Sequence, residues 1–283
     1  MLLLYDAAED IHHNFLGINN NMTDKRHRTV VAVERAVDVL LYLARRSIPA
    51  GVTDLAKDLN LSRGAAHRYL TTLVEKGLAI QHQETDKYSL GPSVLILSQA
   101  FLHQLSFRSR ALPYMNDLHQ LSGETVSLAV RYQNRRIYVD QIEGTNPLRY
   151  KAETGKPYHL YYGSPGKVIL ANLSEHEIKT ILQDPDLRLP ATDAPVDREA
   201  LLKELSQIRT QGYATSIGET LSGLSGVSAV IKDHTGQVVG TVGISGLSLR
   251  FTPERMAEFG SMVKEAAQEI SKELGYLIAN REE

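Results

Sequence analysis

Neither cysteine nor tryptophan occurs anywhere in the chain. The lack of cysteine excludes disulfides, thiolate metal sites and cysteine nucleophiles, and it fits a reducing compartment, so a cytoplasmic protein is expected. An overall charge of one sign is missing too, with a formal net charge of −2. No apolar run approaches the roughly 20 residues that cross a bilayer, so no membrane partner is expected. The opening Met1-Leu2-Leu3-Leu4-Tyr5 is short, has no basic flank and is followed by Asp6, Glu9 and Asp10, so it does not read as a signal peptide. The ten histidines are scattered, and none forms a ligand pattern such as His-Glu-x-x-His; His12-His13 falls in a polar stretch. Neither a metal nor a cofactor is expected, and no internal repeat is visible.

What remains is ordinary globular composition, 42% hydrophobic and 23% charged, in 283 residues, enough for two domains with a core each. The charge is unevenly spread. Residues 22–79 hold ten Lys/Arg against six Asp/Glu, an excess of four, which leaves the rest of the chain at −6. A basic N-terminal module on an acidic body is the asymmetry of a part that meets phosphate, although a chance distribution of surface charge gives the same numbers.

Residues 1–24 are polar and irregular and are expected to be a disordered tail, with the start of translation at Met1 or Met22 left open. Residues 25–91 predict a winged helix-turn-helix. Val33, Val37, Leu40 and Ala44 repeat at helical spacing, Thr53 can cap a second helix with Leu55, Ala56 and Leu59 inward, and Ser62 can cap a third that ends at Gly77. Residues 78–81 and 87–90 read as the two strands of a wing. Residues 92–112 read as a linker helix started by Pro92, with an apolar face of Val94, Leu97, Phe101 and Leu105 that needs a partner. In residues 113–283, helices at 114–121, 167–173, 175–182, 198–211 and 253–277 mix with strands at 125–131, 136–142, 226–232 and 238–245. There is no βαβ rhythm, so the fold class is α+β with an antiparallel sheet flanked by helices.

The third helix carries the most specific chemistry. Ala66, Leu70 and Leu73 form its inward row, while Arg63, His67 and Thr71, and then Gly64, Arg68 and Thr72, form two outward rows. Guanidinium groups on such a face can pair bidentately with guanine in a major groove, Ser62 at the helix N-terminus suits a phosphate, and Lys87, with His82 nearby, can reach the backbone from the wing. Two exposed arginines alone are more simply a solvated helix face; the helix-turn-helix and wing around them favour double-stranded DNA. RNA is disfavoured because no interleaved aromatic surface appears.

The chain resembles the IclR family of bacterial regulators from Val31 to Gly275. The resemblance rests on Val33-Glu34-Arg35-Ala36, residues 61–73, Lys87-Tyr88-Ser89-Leu90-Gly91, Leu121-Ser122-Gly123-Glu124-Thr125, Gly166-Lys167-Val168-Ile169-Leu170-Ala171, residues 208–214, and Ser245-Gly246 before Arg250. It implies a homodimer or a tetramer of paired dimers and an effector pocket in a GAF-like or profilin-like domain; the two-fold symmetry of a dimer closed over the linker-helix face calls for a pseudo-palindromic operator. It also implies regulation of transcription, repression rather than activation being expected.

Residues Gly163-Ser164-Pro165-Gly166-Lys167 form a glycine-rich loop opening a helix, a place where backbone N–H groups favour an anion; a tight turn with no ligand is the competing reading. It is not a phosphate-binding Walker loop, since Tyr161 stands where the first glycine is required and Val168 where Ser/Thr is. The resemblance places Ser216, Glu219, Gly226, Ser228, Gly243 and Ser245 in the pocket. Gly226 replaces a cysteine common in the family and Ser216 an acidic residue, and Tyr161 and Tyr162 add aromatic surface. The expected effector is a carboxylate bulkier than a two- or three-carbon acid, such as an aromatic or sugar-derived acid. Residues 240–246 lack a following helix and are no dinucleotide fingerprint. No catalytic site is expected; a hydrolase built on Ser164 and His159, or a sensor without specific DNA binding, are the alternatives.

Overall fold

The computed structural model describes residues 30–276. The expected tail over 1–24 lies outside them. The described chain divides into two compact units, one ending at Gln104 and one beginning at Leu105.

The N-terminal unit is three helices and a hairpin: α1 (Val31–Ala44), α2 (Val52–Asp58), α3 (Arg63–Glu75), β1 (Ala79–His82) and β2 (Lys87–Leu90), followed by α4 (Ser93–Gln104). Its core gathers Val39 and Leu43 of α1, Leu55 and Ala56 of α2, Ala66, Leu70 and Leu73 of α3, and Tyr88 of the hairpin. The winged helix-turn-helix is therefore as expected, with two local differences. Helix α1 buries Val39 and Leu43, not the row through Val33 and Val37, which is exposed and lines an apolar groove with Tyr69, Leu73 and Leu78. Thr53 lies inside α2 and does not cap it; Gly51 is the N-cap and supplies no side-chain bond. Ala50 pairs with Tyr88 through two backbone hydrogen bonds of 2.8 Å, an isolated antiparallel bridge beside the two-stranded wing. Gly77 (φ 69°) and Gly91 let the chain cross itself where α3 ends, since a Cβ at Gly91 would lie 2.2 Å from the Gly77 carbonyl oxygen.

The expected linker helix over 92–112 is two helices. Leu105 leaves helical geometry (φ −82°, ψ 76°), and α5 (Ser106–Ser122) then runs through Pro113. Proline normally ends a helix because it removes an N–H and crowds the preceding turn. Here Phe107, Ala111, Met115 and Leu118 form one buried stripe across it, and the Asn116 amide donates to the Leu112 carbonyl, so packing overrides the breaker.

The C-terminal unit continues with β3 (Thr125–Tyr132), β4 (Arg135–Ile142), β5 (Pro157–His159), α6 (Ser164–Ala171), α7 (Glu175–Leu182), α8 (Arg198–Gln211), β6 (Ala214–Ile217), β7 (Leu224–Lys232), β8 (Val238–Leu247) and α9 (Pro253–Glu273). All six strands form one antiparallel sheet in the order β5-β4-β3-β8-β7-β6. Helices α5 and α9 pack on each other and on the sheet, while α6 packs on β7 and β8 with α8 against it. This is the α+β class expected. The strands β5 and β6, of three and four residues, escaped the sequence reading because so few residues show no alternation; pairing to β4 and β7 makes them strands.

Candidate DNA-reading helix and sensor cavity

Ser62 caps α3, its Oγ accepting from the Ala65 N–H at 3.2 Å. Arg63, Gly64, His67, Arg68, Thr71 and Thr72 are all exposed, opposite the buried Ala66, Leu70 and Leu73. A Cβ at Gly64 would meet nothing within 4 Å, so this glycine answers no packing need and leaves the face low enough for close approach. The two threonine hydroxyls are engaged within the helix, Thr71 donating to the His67 carbonyl at 2.9 Å and Thr72 to that of Arg68 at 3.0 Å. That leaves their oxygens as acceptors and assigns the donor chemistry of the face to Arg63, Arg68 and the ring of His67. Lys87 is exposed at the start of β2. His82, its cross-strand partner, is tied to the Ser89 hydroxyl at 2.9 Å, and the wing tip also carries Glu84 and Asp86. Unlike α3, the wing offers phosphate no net positive charge.

In the C-terminal unit, strand register assembles a carpet of small residues. Ser127, Gly243 and Ser228 lie side by side across β3, β8 and β7; Ser245, Gly226 and Ser216 form the next row across β8, β7 and β6. Alternation places both rows on one sheet face. Above them stand Gly163, Ser164 and Pro165 at the start of α6, with Tyr138, Tyr150 and Thr220 at the side, enclosing a cavity of about 20 Å³, room for about one water molecule. Gly226 opens little space, because a Cβ there would already lie 3.1 Å from the Ser164 hydroxyl. Ser164 and Ser228 share a hydrogen bond of 3.0 Å, whereas the buried Ser245 hydroxyl has no hydrogen-bond partner among the described residues.

Of the residues singled out in the sequence, Gly163, Ser164, Ser216, Gly226, Ser228, Gly243 and Ser245 meet around this cavity. Tyr161, Tyr162, Gly166 and Glu219 do not line it. Tyr161 and Tyr162 are buried and pack edge to face, with ring centroids 5.3 Å apart; burial pushes the Tyr161 phenol up to about 12. Glu219 stands where the sequence reading puts an effector's carboxylate. It accepts from the Gly163 N–H at 2.7 Å and from Lys167 Nζ at 2.5 Å, and Lys167 also meets Glu204 at 2.6 Å. The anion-favouring turn is thus occupied by an anion of the chain itself. Ser127, Tyr138, Tyr150 and Thr220 were missed because nothing local marks them; only register and chain reversal bring them in.

Arg136 was also missed. On β4, on the same face as Tyr138, it is wholly buried, and Gly163 and Gly166 are glycines where its guanidinium passes. A Cβ at Gly163 (φ 71°) would lie 2.7 Å from Nη2, and one at Gly166 2.5 Å from Nη1. Its Nη1 donates to the carbonyls of His159 and, at 2.7 Å, Tyr162. Burial, then the nearby Arg135 and Arg136, hold His159 down to about 3, so its ring stays neutral. Among the described residues no hydrogen bond joins His159 to Ser164, and no cluster of three or more His, Asp or Glu could hold a metal.

A winged helix-turn-helix with a guanidinium-bearing third helix, followed by a separate α+β unit, defines a DNA-binding regulator with a C-terminal α+β domain. Two family descriptions match the chain, the bacterial transcriptional regulator IclR C-terminal domain over residues 99–272 and the IclR helix-turn-helix domain over residues 32–83. The chain is 32% identical to the HTH-type transcriptional repressor AllR of Escherichia coli K12 and 33% identical to that of Salmonella typhimurium, in each case over 86% of this chain and 90% of the relative. The crystal structure of Thermotoga maritima IclR, 30% identical, superimposes with a TM-score of 0.71 over 87% of this chain and 99% of that one. An IclR homolog from Microbacterium hydrocarbonoxydans, crystallised with 4-hydroxybenzoate and 22% identical, shares the fold with a TM-score of 0.75 over 86% and 98% of the two chains. The protein belongs to the IclR family of DNA-binding transcriptional regulators.

Proposed function

We propose that this regulator is a cytoplasmic repressor whose operator affinity is set by a small carboxylate bound between the start of α6 and the serine and glycine rows of β7 and β8. The observation that carries the sensor reading is the Ser245 hydroxyl, buried at that cavity without a partner; an unmade hydrogen bond there costs about 1–3 kcal/mol and is recovered when a ligand supplies the other half. The AllR relatives are repressors, and the Microbacterium homolog binds the aromatic acid 4-hydroxybenzoate. A cavity of about 20 Å³ admits such an acid only if a wall moves. The segment 218–223, bounded by Gly218 and Gly223, both at positive φ, carries Thr220 of the wall and Glu219, and it is the wall expected to move.

In this reading Arg63 and Arg68 contact base edges, Ser62 and Lys87 contact phosphates, and Gly64, His67, Thr71 and Thr72 complete the face. A second copy covers α4, which buries none of its residues and exposes Leu95, Ile96, Leu97 and Phe101. The resulting two-fold symmetry matches a pseudo-palindromic operator, whether the assembly stops at a dimer or goes on to a tetramer. No catalytic step is assigned. The test is a titration of operator, selected from random duplex DNA, with and without a carboxylate found by thermal-shift screening. Ser245→Leu is expected to fill the cavity and abolish the ligand's effect while leaving basal operator affinity within about twofold, because Ser245 touches no DNA. A full response in that variant would place the ligand elsewhere.

A further inference from the structure

Arg136 is a fully buried cation with no carboxylate within salt-bridge distance among the described residues. Its end-on nitrogen Nη1 is satisfied by two carbonyls, but Nε and Nη2 have no hydrogen-bond partner. Those two nitrogens form the side-on fork of the guanidinium, two parallel N–H donors at the spacing of a carboxylate's oxygens. Arg136 does not itself line the cavity, but the fork lies directly behind its wall. Nη2 points to Gly163, where Thr220 Oγ1 also converges, and both of these residues line the cavity. Tyr138, another wall residue, has its ring 6.0 Å from the guanidinium carbon; Tyr158 and Tyr162 stand 5.3 and 5.1 Å away. Aromatic rings attract the charge, yet their faces do not accept two in-plane N–H bonds as an anion does, so the tyrosines explain how the cation is tolerated and leave the fork unpaired. The nearby acid, Glu219, is held by the Gly163 N–H and Lys167.

We infer that Arg136 is the anion-recognition residue of the sensor cavity: its Nε and Nη2 take the effector's carboxylate as a bidentate pair, past Gly163, while Ser245 meets a polar group at the other side. The inference rests on the sensor reading above and deepens it, since it makes a planar anion the required part of the ligand and assigns selectivity to a β4 residue outside the small-residue rows. It also gives Gly163 and Gly166 a reason: each clears the path of this guanidinium.

The experiment uses the full-length protein with matched acid and amide probes, formate against formamide and benzoate against benzamide, at constant ionic strength in chloride. Binding is read by thermal shift and calorimetry on wild type, Arg136→Lys and Arg136→Met. Wild type should bind at least one acid, and at least about tenfold more tightly than its amide, as expected for hydrogen bonds to a charged group. Arg136→Lys, which keeps the charge without the fork, should lose most of that acid-over-amide ratio, and Arg136→Met all of it. A partial loss of folded protein lowers acid and amide binding alike and leaves the ratio unchanged, and the lysine variant stands in if the methionine variant does not fold. Equal binding of acid and amide by wild type, an unchanged ratio in both variants, or no binding of either acid overturns the assignment. Acid binding that survives both Arg136 variants but is lost in Ser245→Leu removes Arg136 alone; acid binding that survives Ser245→Leu removes the cavity reading itself.

Discussion

Lys167→Met tests the built-in anion at the start of α6. Lys167 is 3% exposed and is shared by Glu219 and Glu204, whose side chains are 18% and 34% exposed. Removing one partner of a buried pair costs about 3–5 kcal/mol, because the remaining charge is left uncompensated in a poor solvent. Two facts favour the low end. Glu204 can turn to water, and Glu219 retains its 2.7 Å bond from the Gly163 N–H. About 3 kcal/mol, spread over a unit of this size at about 2–4 °C per kcal/mol, lowers Tm by about 6–12 °C. The transition is followed by near-ultraviolet circular dichroism, since the buried Tyr138, Tyr158, Tyr161 and Tyr162 all belong to the C-terminal unit. Adding Glu219→Gln should return part of the loss, with a coupling of at least about 1 kcal/mol in the double-mutant cycle. A Tm within 2 °C of wild type, set against the roughly 6 °C minimum expected, or a coupling near zero, would refute the reasoning that the trio is an interdependent buried network.

Arg68→Ala should weaken binding to the selected operator by about 1–3 kcal/mol, roughly 5- to 150-fold, and relax preference at one base pair; unchanged affinity and preference in a gel-shift titration would show that α3 does not read bases through it. Phe101→Asp puts a charge on the bare face of α4, 48% exposed at this residue, and should turn a dimer into a monomer in light scattering at micromolar concentration; a wild type already monomeric there sinks the pairing of α4. His159→Phe tests an acid penalty. The folded ring is pushed down to about 3 against 6.5 in an open chain, so the unfolded state binds a proton that the folded state refuses, and stability falls as pH drops from 6.5 towards 3. The phenylalanine variant keeps the stack on Tyr161, at 4.8 Å, and should show a shallower fall of Tm between pH 6.5 and 4.5; parallel curves would mean that His159 does not carry the penalty.

The chain's local grammar determined the DNA-reading half almost completely. The inward row Ala66, Leu70 and Leu73, the Ser62 cap, the Gly77 stop and the short hairpin after it are all signals between residues a few positions apart, and α3 forms from them as read. The same kind of signal marked the loop at Gly163–Lys167 and the strands β7 and β8. Long-range pairing decided the rest. Whether Val33 or Val39 of α1 faces inward depends on which side α3 occupies, and whether Pro113 ends a helix depends on the pockets that receive Ala111 and Met115. The cavity depends on registers such as Ser127 against Gly243 and Gly243 against Ser228, and residue types alone do not specify a register across 116 positions. Arg136, in the sequence one of two adjacent arginines at a turn, is buried because the start of α6 and the rings of Tyr158 and Tyr162 cover it, and the distant Gly163 and Gly166 give it room. Its unpaired fork, and the occupation of the anion-favouring turn by Glu219, exist only once these separate segments are folded together.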